Sequence, residues 1–405
     1  MIEIKGRYSS ARIYADIVDE ETITQIYELL NQEFCSSSKI RIMPDCHTGK
    51  GCVIGTTMTI VDKVVPGLVG VDIGCGMRVV KLGKININFK EIDDYINEFE
   101  PKGVNINSKE LEKTVPLQKL RCLKHLSQID YVKKSIGTIG GGNHFIEIDK
   151  DDEDNYYLII HTGSRNLGGQ VALYYQKVAV EYQKNKVFNK EEEKKKVLAQ
   201  YKNSGKIYEL ERKLKEIKVK NVPLPMPKEL CYLENELLQD YLFDMDICQK
   251  YASKNREVVA KTICEKLGLK FSTLETFETI HNYINMEDKI LRKGAISAYS
   301  DETVLIPINM KEGCILGKGK SCSEYNYSAP HGAGRLMSRR DAKDIISLQE
   351  YKDSMKGIYS TSISEATIDE SPFAYKPIES ILENIKDTVE IIKIIKPVYN
   401  YKRGK

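Results

Sequence analysis

Tyr157-Leu158-Ile159-Ile160-His161-Thr162-Gly163-Ser164-Arg165 decides the class of fold. An unbroken apolar run, too short for a helix and rich in aromatic and β-branched residues, stops at a glycine turn, the pattern of a buried strand with functional side chains at its end. Short runs of this kind, such as Val69-Gly70-Val71, alternate with glycine clusters over residues 40–170, and the texture returns from about 270 to 335. Between them, residues 171–266 carry stretches such as Glu191-Glu192-Glu193-Lys194-Lys195-Lys196 and Leu210-Glu211-Arg212-Lys213-Leu214-Lys215, solvated helices with internal charge pairs. Pro223-Leu224-Pro225-Met226-Pro227 cannot be helical and separates two helical segments of this block. A last helical pattern is expected from Ile378 to Ile395, ahead of the basic tail Lys402-Arg403-Gly404-Lys405. Strand texture on both sides of the helices predicts an α+β fold. One large domain, 1–405, of mixed β-sheets flanked by helices would hold residues 171–266 as a charged helical insertion.

Composition narrows the class further. Lys and Arg total 61 against 58 Asp and Glu in 405 residues, a net charge of +3 that excludes binding nucleic acid by bulk charge and leaves a local basic groove open. Hydrophobic residues at 41% and charged residues at 29% describe a folded chain. No run approaches the roughly 18–20 apolar residues of a membrane span, and Met1-Ile2-Glu3-Ile4-Lys5-Gly6-Arg7 has no secretory core. Ten cysteines without a CxxC pair predict a reduced, cytoplasmic protein with no membrane partner. Between 184 and 220 the twelve lysines are interleaved with six glutamates at helical pairing distances, so a solvated face is expected there rather than a nucleic-acid platform.

Five of six histidines lie beside glycines or at strand ends: His47, His144, His161, His281 and His331. His125, in a Lys/Leu stretch, is expected at the surface. Asp72 and Cys75 of Gly70-Val71-Asp72-Ile73-Gly74-Cys75-Gly76 can present a carboxylate and a thiolate to one ion. With imidazoles they make a borderline-soft set suited to Zn, Mn, Co or Fe, and two ions sharing the thiolate would suit phosphoryl chemistry. The plainer alternative for Cys75 is a small buried residue. His331 sits among glycines with Arg335, Arg339 and Arg340 following. That suits attack on a phosphate held by guanidinium forks, against the alternative of an ordinary turn into a helix with solvated arginines. The phosphate-loop pattern GxxxxGK[ST], the strand-following GxGxxG and the ligase lysine motif KxDG are all absent, so a nucleotide would bind by another route.

Six motifs in order resemble the RtcB family of GTP-dependent RNA-splicing ligases, in its bacterial-type branch: PDxHxGxG from Pro44, GVDIGCGM from Gly70, GGGNHFIE from Gly140, H(S/T)GSRxLG from His161, ETxHNYI from Glu278 and PHGAGRxMSR from Pro330. The resemblance spans Pro44 to Lys402. It implies joining of RNA ends bearing a 2′,3′-cyclic phosphate or 3′-phosphate to 5′-hydroxyl ends, in tRNA splicing or RNA repair, with GTP and two Mn²⁺. His331 would be guanylylated. Asp72, Cys75 and His144 would hold one ion, and Cys75, His161 and His281 the other. Asn143, Glu147, Asn309, Tyr375, Lys402 and the loop Gly332, Ala333, Gly334 and Arg335 would contact the nucleotide; Arg165, Arg335 and Arg339 fit phosphate or RNA. Asn309, in Ile306-Pro307-Ile308-Asn309-Met310, stands where the family has serine, and Lys402 best matches its terminal lysine. His47 is expected on the substrate side or in a structural role, with Asp45 as its partner. Two other readings stay open: an enzyme that guanylylates 3′-phosphates with poor ligation, and a metal-binding RNA-associated protein without catalysis. An accessory activator protein is a further expected partner of the ligase.

Overall fold

A computed structural model describes residues 1–99, 105–188, 190–202, 207–216 and 223–402. Its architecture is α+β, built on two large sheets. The first runs β1 (Ile2–Lys5), β2 (Ser10–Ile13), β3 (Ile40–His47), β4 (Ile54–Thr59), β12 (Ile290–Lys293) and β11 (Asn282–Ile284). The second has seven strands in the order β10 (Thr276–Ile280), β6 (Gly76–Gly83), β8 (Tyr156–Thr162), β7 (Phe145–Lys150), β17 (Val389–Lys402), β15 (Gly313–Gly319) and β14 (Thr303–Asn309). Two short ribbons pair β5 (Lys63–Val64) with β9 (Leu233–Glu234) and β13 (Ala295–Ser297) with β16 (Ser328–Pro330).

β8 shows why its sequence is continuously apolar. Successive side chains point to opposite faces of a strand, and both faces here are covered. Leu158 and Ile160 pack with Val80, Ile146 and Ile148 on one side. Tyr157 and Ile159 pack with Met77, Val79 and Leu305 on the other. The first face is roofed by the helix Asn235–Lys266, whose Val259, Ala260 and Ile263 join that core at helical spacing.

The helical block contains Arg165–Val187, Lys190–Lys202, Ile207–Glu216 and Asn235–Lys266. Lys194 and Lys196 pair within their own helix with Glu191, Glu192 and Glu193. Pro223 to Pro227 is non-helical, and His125 is exposed and stacks on Tyr174. The expected helix from Ile378 to Ile395 is corrected. Helix covers only Ile378–Asn384, and Val389–Ile395 is the first half of β17, paired with β15, while the second half pairs with β7. Of the basic tail, Lys402 closes β17, and Arg403, Gly404 and Lys405 lie outside the described residues. Among the described residues no helix is long and apolar enough to cross a membrane. All ten cysteines are free thiols.

Candidate active site

Strand register assembles the cluster. β10, β6, β8 and β7 are neighbours and successively antiparallel, with Ile280 opposite Gly76, Gly76 opposite Thr162, and Phe145 opposite His161. The residue before β6 (Cys75), the one after β10 (His281), the one before β7 (His144) and His161 near the end of β8 therefore meet at one end of the sheet. Cys75 Sγ lies 3.4 Å from His161 Nε2 and 3.6 Å from His144 Nε2. His161 Nε2 lies 3.4 Å from His281 Nε2, and His144 Nε2 is 3.0 Å from Asp72 Oδ2. Two triads share Cys75, one with His161 and His281 and the other with Asp72 and His144.

The donor set fits metal ions. His144 Nδ1 donates to the Ile139 carbonyl at 2.9 Å and His161 Nδ1 to the Asn143 carbonyl at 3.1 Å. A carbonyl only accepts, so in the neutral rings each Nε2 carries a lone pair aimed into the cluster. Burial holds His161 and His281 well below the ordinary imidazole range, keeping both neutral. The His144 Nε2 lone pair and the Asp72 carboxylate oxygen face one another at 3.0 Å, a contact that repels unless a cation or a proton lies between them. Burial tends to raise the Asp72 pKa, but its polar neighbours His144, Cys75 and the Ser164 amide together outweigh that, and the carboxyl sits below its usual value. Without a cation, burial puts the Cys75 thiol well above the usual range; a bound ion would reverse that.

Close backbone approach is required at Gly163, where a Cβ would lie 2.2 Å from Asp72 Oδ1. Gly163→Ala is expected to displace Asp72 and weaken metal retention by about 10–100-fold, measured as bound metal per chain after equilibrium dialysis.

Asn255 and Arg256 were not singled out by sequence reasoning, yet they support this end of the sheet. Asn255 accepts from the Gly137 and Thr138 amides and donates to the Gly163 carbonyl. Arg256 Nη1 donates to the carbonyls of Gly74 and Thr162, at 2.8 Å each, next to Cys75 and His161. Its Nε pairs with Glu278 at 3.1 Å. The available signal was two polar residues in the apolar stripe Ala252, Asn255, Arg256 and Val259. Arg256→Met strands these acceptors and is expected to cost roughly 3–5 kcal/mol of unfolding free energy, read from urea midpoints.

Beside the cluster opens a cleft of about 890 Å³, within the roughly 300–1,000 Å³ of small-molecule sites. His331 and His161 line it together with His47, Asn143, Phe145, Glu147, Asn309, Gly332, Ala333, Gly334, Arg335, Arg339, Tyr375 and Lys402. The His331 ring stands 4.8 Å from that of His281. Its Nδ1 donates to Asp45 Oδ2 at 2.7 Å, and the backbone amides of His331 and Gly332 donate to the same oxygen at 3.1 and 3.2 Å. Asp45 is fully buried, so its carboxylate addresses His331, while His47 reaches only the Asp45 carbonyl. Burial depresses the pKa of His47.

At the far end, Glu370 is buried among Lys402, Arg339 and the Tyr375 hydroxyl. Burial opposes its ionisation, but Lys402 and Arg339 prevail and hold the carboxyl down at about 2. Arg339 also meets Asp369 at 2.6 Å, so its charge is already matched by two carboxylates. Arg335 donates to the carbonyls of Met337 and Asp369, leaving a buried Nη1 without a protein partner among the described residues. Asn309 turns its Oδ1 to the Lys311 and Glu312 amides, closing the β14–β15 turn. Arg165 is not among the cleft-lining residues; its guanidinium occupies the space a Gly140 side chain would need, and Nε donates to Thr138.

Comparison with known proteins agrees over nearly the whole chain. The chain is 28% identical over 398 residues to "RNA-splicing ligase RtcB" of Escherichia coli (strain K12), covering 89% of this chain and 88% of that protein. It is 27% identical over 446 residues to "tRNA-splicing ligase RtcB" of Methanococcus maripaludis, covering 87% and 85%. The sequence profile described as "tRNA-splicing ligase RtcB" matches residues 25–129 and 124–403, so the histidine-and-thiolate cluster and the cleft beside it belong to a member of the RtcB family.

Proposed function

We propose that this enzyme is an RNA ligase that joins 3′-phosphate or 2′,3′-cyclic-phosphate ends to 5′-hydroxyl ends by way of a guanylylated His331. The observation that carries the reading is the Asp45–His331 pair facing a nucleotide-sized cleft beside the two triads. Asp45 accepts the hydrogen bond from Nδ1–H and keeps that proton on Nδ1, so the lone pair sits on Nε2, on the ring edge turned away from the buried carboxylate.

Asp72, Cys75 and His144 would hold one ion and Cys75, His161 and His281 a second; when bound, Mn²⁺ there would polarise phosphate oxygens. Nε2 attacks the α-phosphorus of GTP, the bond to the β-phosphate oxygen breaks, and pyrophosphate leaves. The imidazolium so formed is stabilised by the Asp45 carboxylate. GMP then passes to the RNA 3′-phosphate as the phosphorus–nitrogen bond breaks. The 5′-hydroxyl attacks that activated phosphate, its proton passes to solvent, and GMP departs. A cyclic phosphate must first be opened by water. Arg335 Nη1 is the cleft's uncommitted donor for a phosphate oxygen, whereas Arg339 serves through the Glu370 cluster. Glu147, Tyr375 and Lys402 form the guanine end, and Asn309 shapes its wall through the turn it closes.

The test is ligation of two RNA fragments, one ending in a 2′,3′-cyclic phosphate and one starting with a 5′-hydroxyl, with GTP and Mn²⁺. Joined product supports the reading. A 3′ end that acquires GMP without joining would instead identify an end-capping enzyme. A metal-loaded protein that takes up no GMP would remove the reading.

A further inference from the structure

Beneath the guanine end of the cleft lies a second buried cluster, Glu147, Asp149 and Cys314, with ligand-capable atoms within 4.8 Å of one another. Glu147 and Asp149 are two apart on β7 and so share a face. That face meets Cys314, which packs with Leu305, Leu316 and Ile395. Glu147 Oε2 accepts from Asn400, and Oε1 takes the Cys314 thiol at 3.7 Å. Asp149 is completely buried, and neither of its oxygens has a donor among the described residues.

Two adjacent carboxylates in an apolar interior cannot both stay ionised, and a carboxylate without donors is the one to take a proton. An ion is the alternative occupant, with Asn400 Oδ1, unpartnered among the described residues, as a further oxygen beside Glu147, and a bound metal equivalent lost with Asp149 would reveal it. We propose that Asp149 is a positioning residue, protonated at neutral pH, which donates its hydrogen to Glu147 and fixes that carboxylate for the N–H edge of guanine. Burial and the charge of Glu147 both push the Asp149 pKa well above the ordinary carboxyl range, in the same sense. The proposal rests on the reading of the cleft as a GTP site.

Asparagine at 149 can still donate a hydrogen to Glu147; leucine fills the volume and cannot. Infrared difference spectra between wild type and Asp149→Asn at neutral pH read the proton directly. A protonated-carboxyl band present only in wild type is expected, and its absence overturns the proposal whatever the nucleotide does. In steady-state ligation, Asp149→Leu is expected to raise KM for GTP about tenfold, one hydrogen bond's worth, with kcat little changed and thermal stability undiminished. Asp149→Asn should restore KM to near wild type. An Asn variant as impaired as Leu, a Leu variant with unchanged KM, or a bound metal equivalent lost only in the Leu variant each overturns the role. A band present in a wild type that takes up no GMP would sink the reading of the cleft, and the guanine role with it.

Discussion

His331→Ala is expected to abolish protein-bound label when the metal-loaded chain is incubated with α-labelled GTP, denatured and resolved. The label on wild type should be acid-labile and alkali-stable, as a phosphorus–nitrogen bond is. Asp45→Asn is the finer experiment, because it leaves shape almost unchanged. Asparagine cannot offer one oxygen to the imidazole and to the His331 and Gly332 amides with the strength of a carboxylate. It also permits the wrong tautomer and gives the imidazolium no counter-charge. The analogous change in serine-protease triads costs about 10⁴-fold, so a fall of roughly 10³–10⁴-fold in labelling rate is expected here. Full labelling of the alanine variant would move the nucleophile elsewhere. An Asn variant as fast as wild type would mean that the carboxylate serves structure alone.

The second large effect belongs to Cys75. It is the one atom common to both triads, so Cys75→Ala should strip metal from both, whereas His281→Ala should weaken one. Elemental analysis of dialysed protein is expected to fall from about two equivalents toward none in the first variant and toward one in the second, given that a thiolate ligand is a major share of such affinity. Equal losses in the two variants would show that the sites do not share the sulfur. Circular dichroism of the same samples separates metal loss from unfolding.

Much of this was legible in the sequence because its signals are local. β8 reads as a central strand from its composition, and the histidines announce themselves by glycine neighbours. What stayed hidden depends on distant packing. From Ile378 onward apolar residues recur at three- and four-residue steps, which fits a helix. Val389 to Ile395 is also a β-branched run, and the open ladder of β15 decides in favour of strand. Asp45 and His331 are 286 residues apart, so only the fold could show that the carboxylate faces His331 rather than His47. The commitment of Arg339 to Asp369 and Glu370 was likewise invisible in a run of arginines.

The placement of β17 carries a consequence for the order in which a living chain becomes an enzyme. Residues 389–402 bridge β7 and β15, and Asn400 and Lys402 reach Glu147 and Glu370 at the far end of the cleft, where the proposed nucleotide would sit. During synthesis every metal-cluster residue, the last being His281, leaves the ribosome before that strand does. A nascent chain could thus gather its histidines and thiolate while the pocket for the base still lacks a wall. Capture of a divalent cation and capture of a nucleotide would then be separate events on the ribosome, in that order, and tight nucleotide binding would report a sheet that has closed.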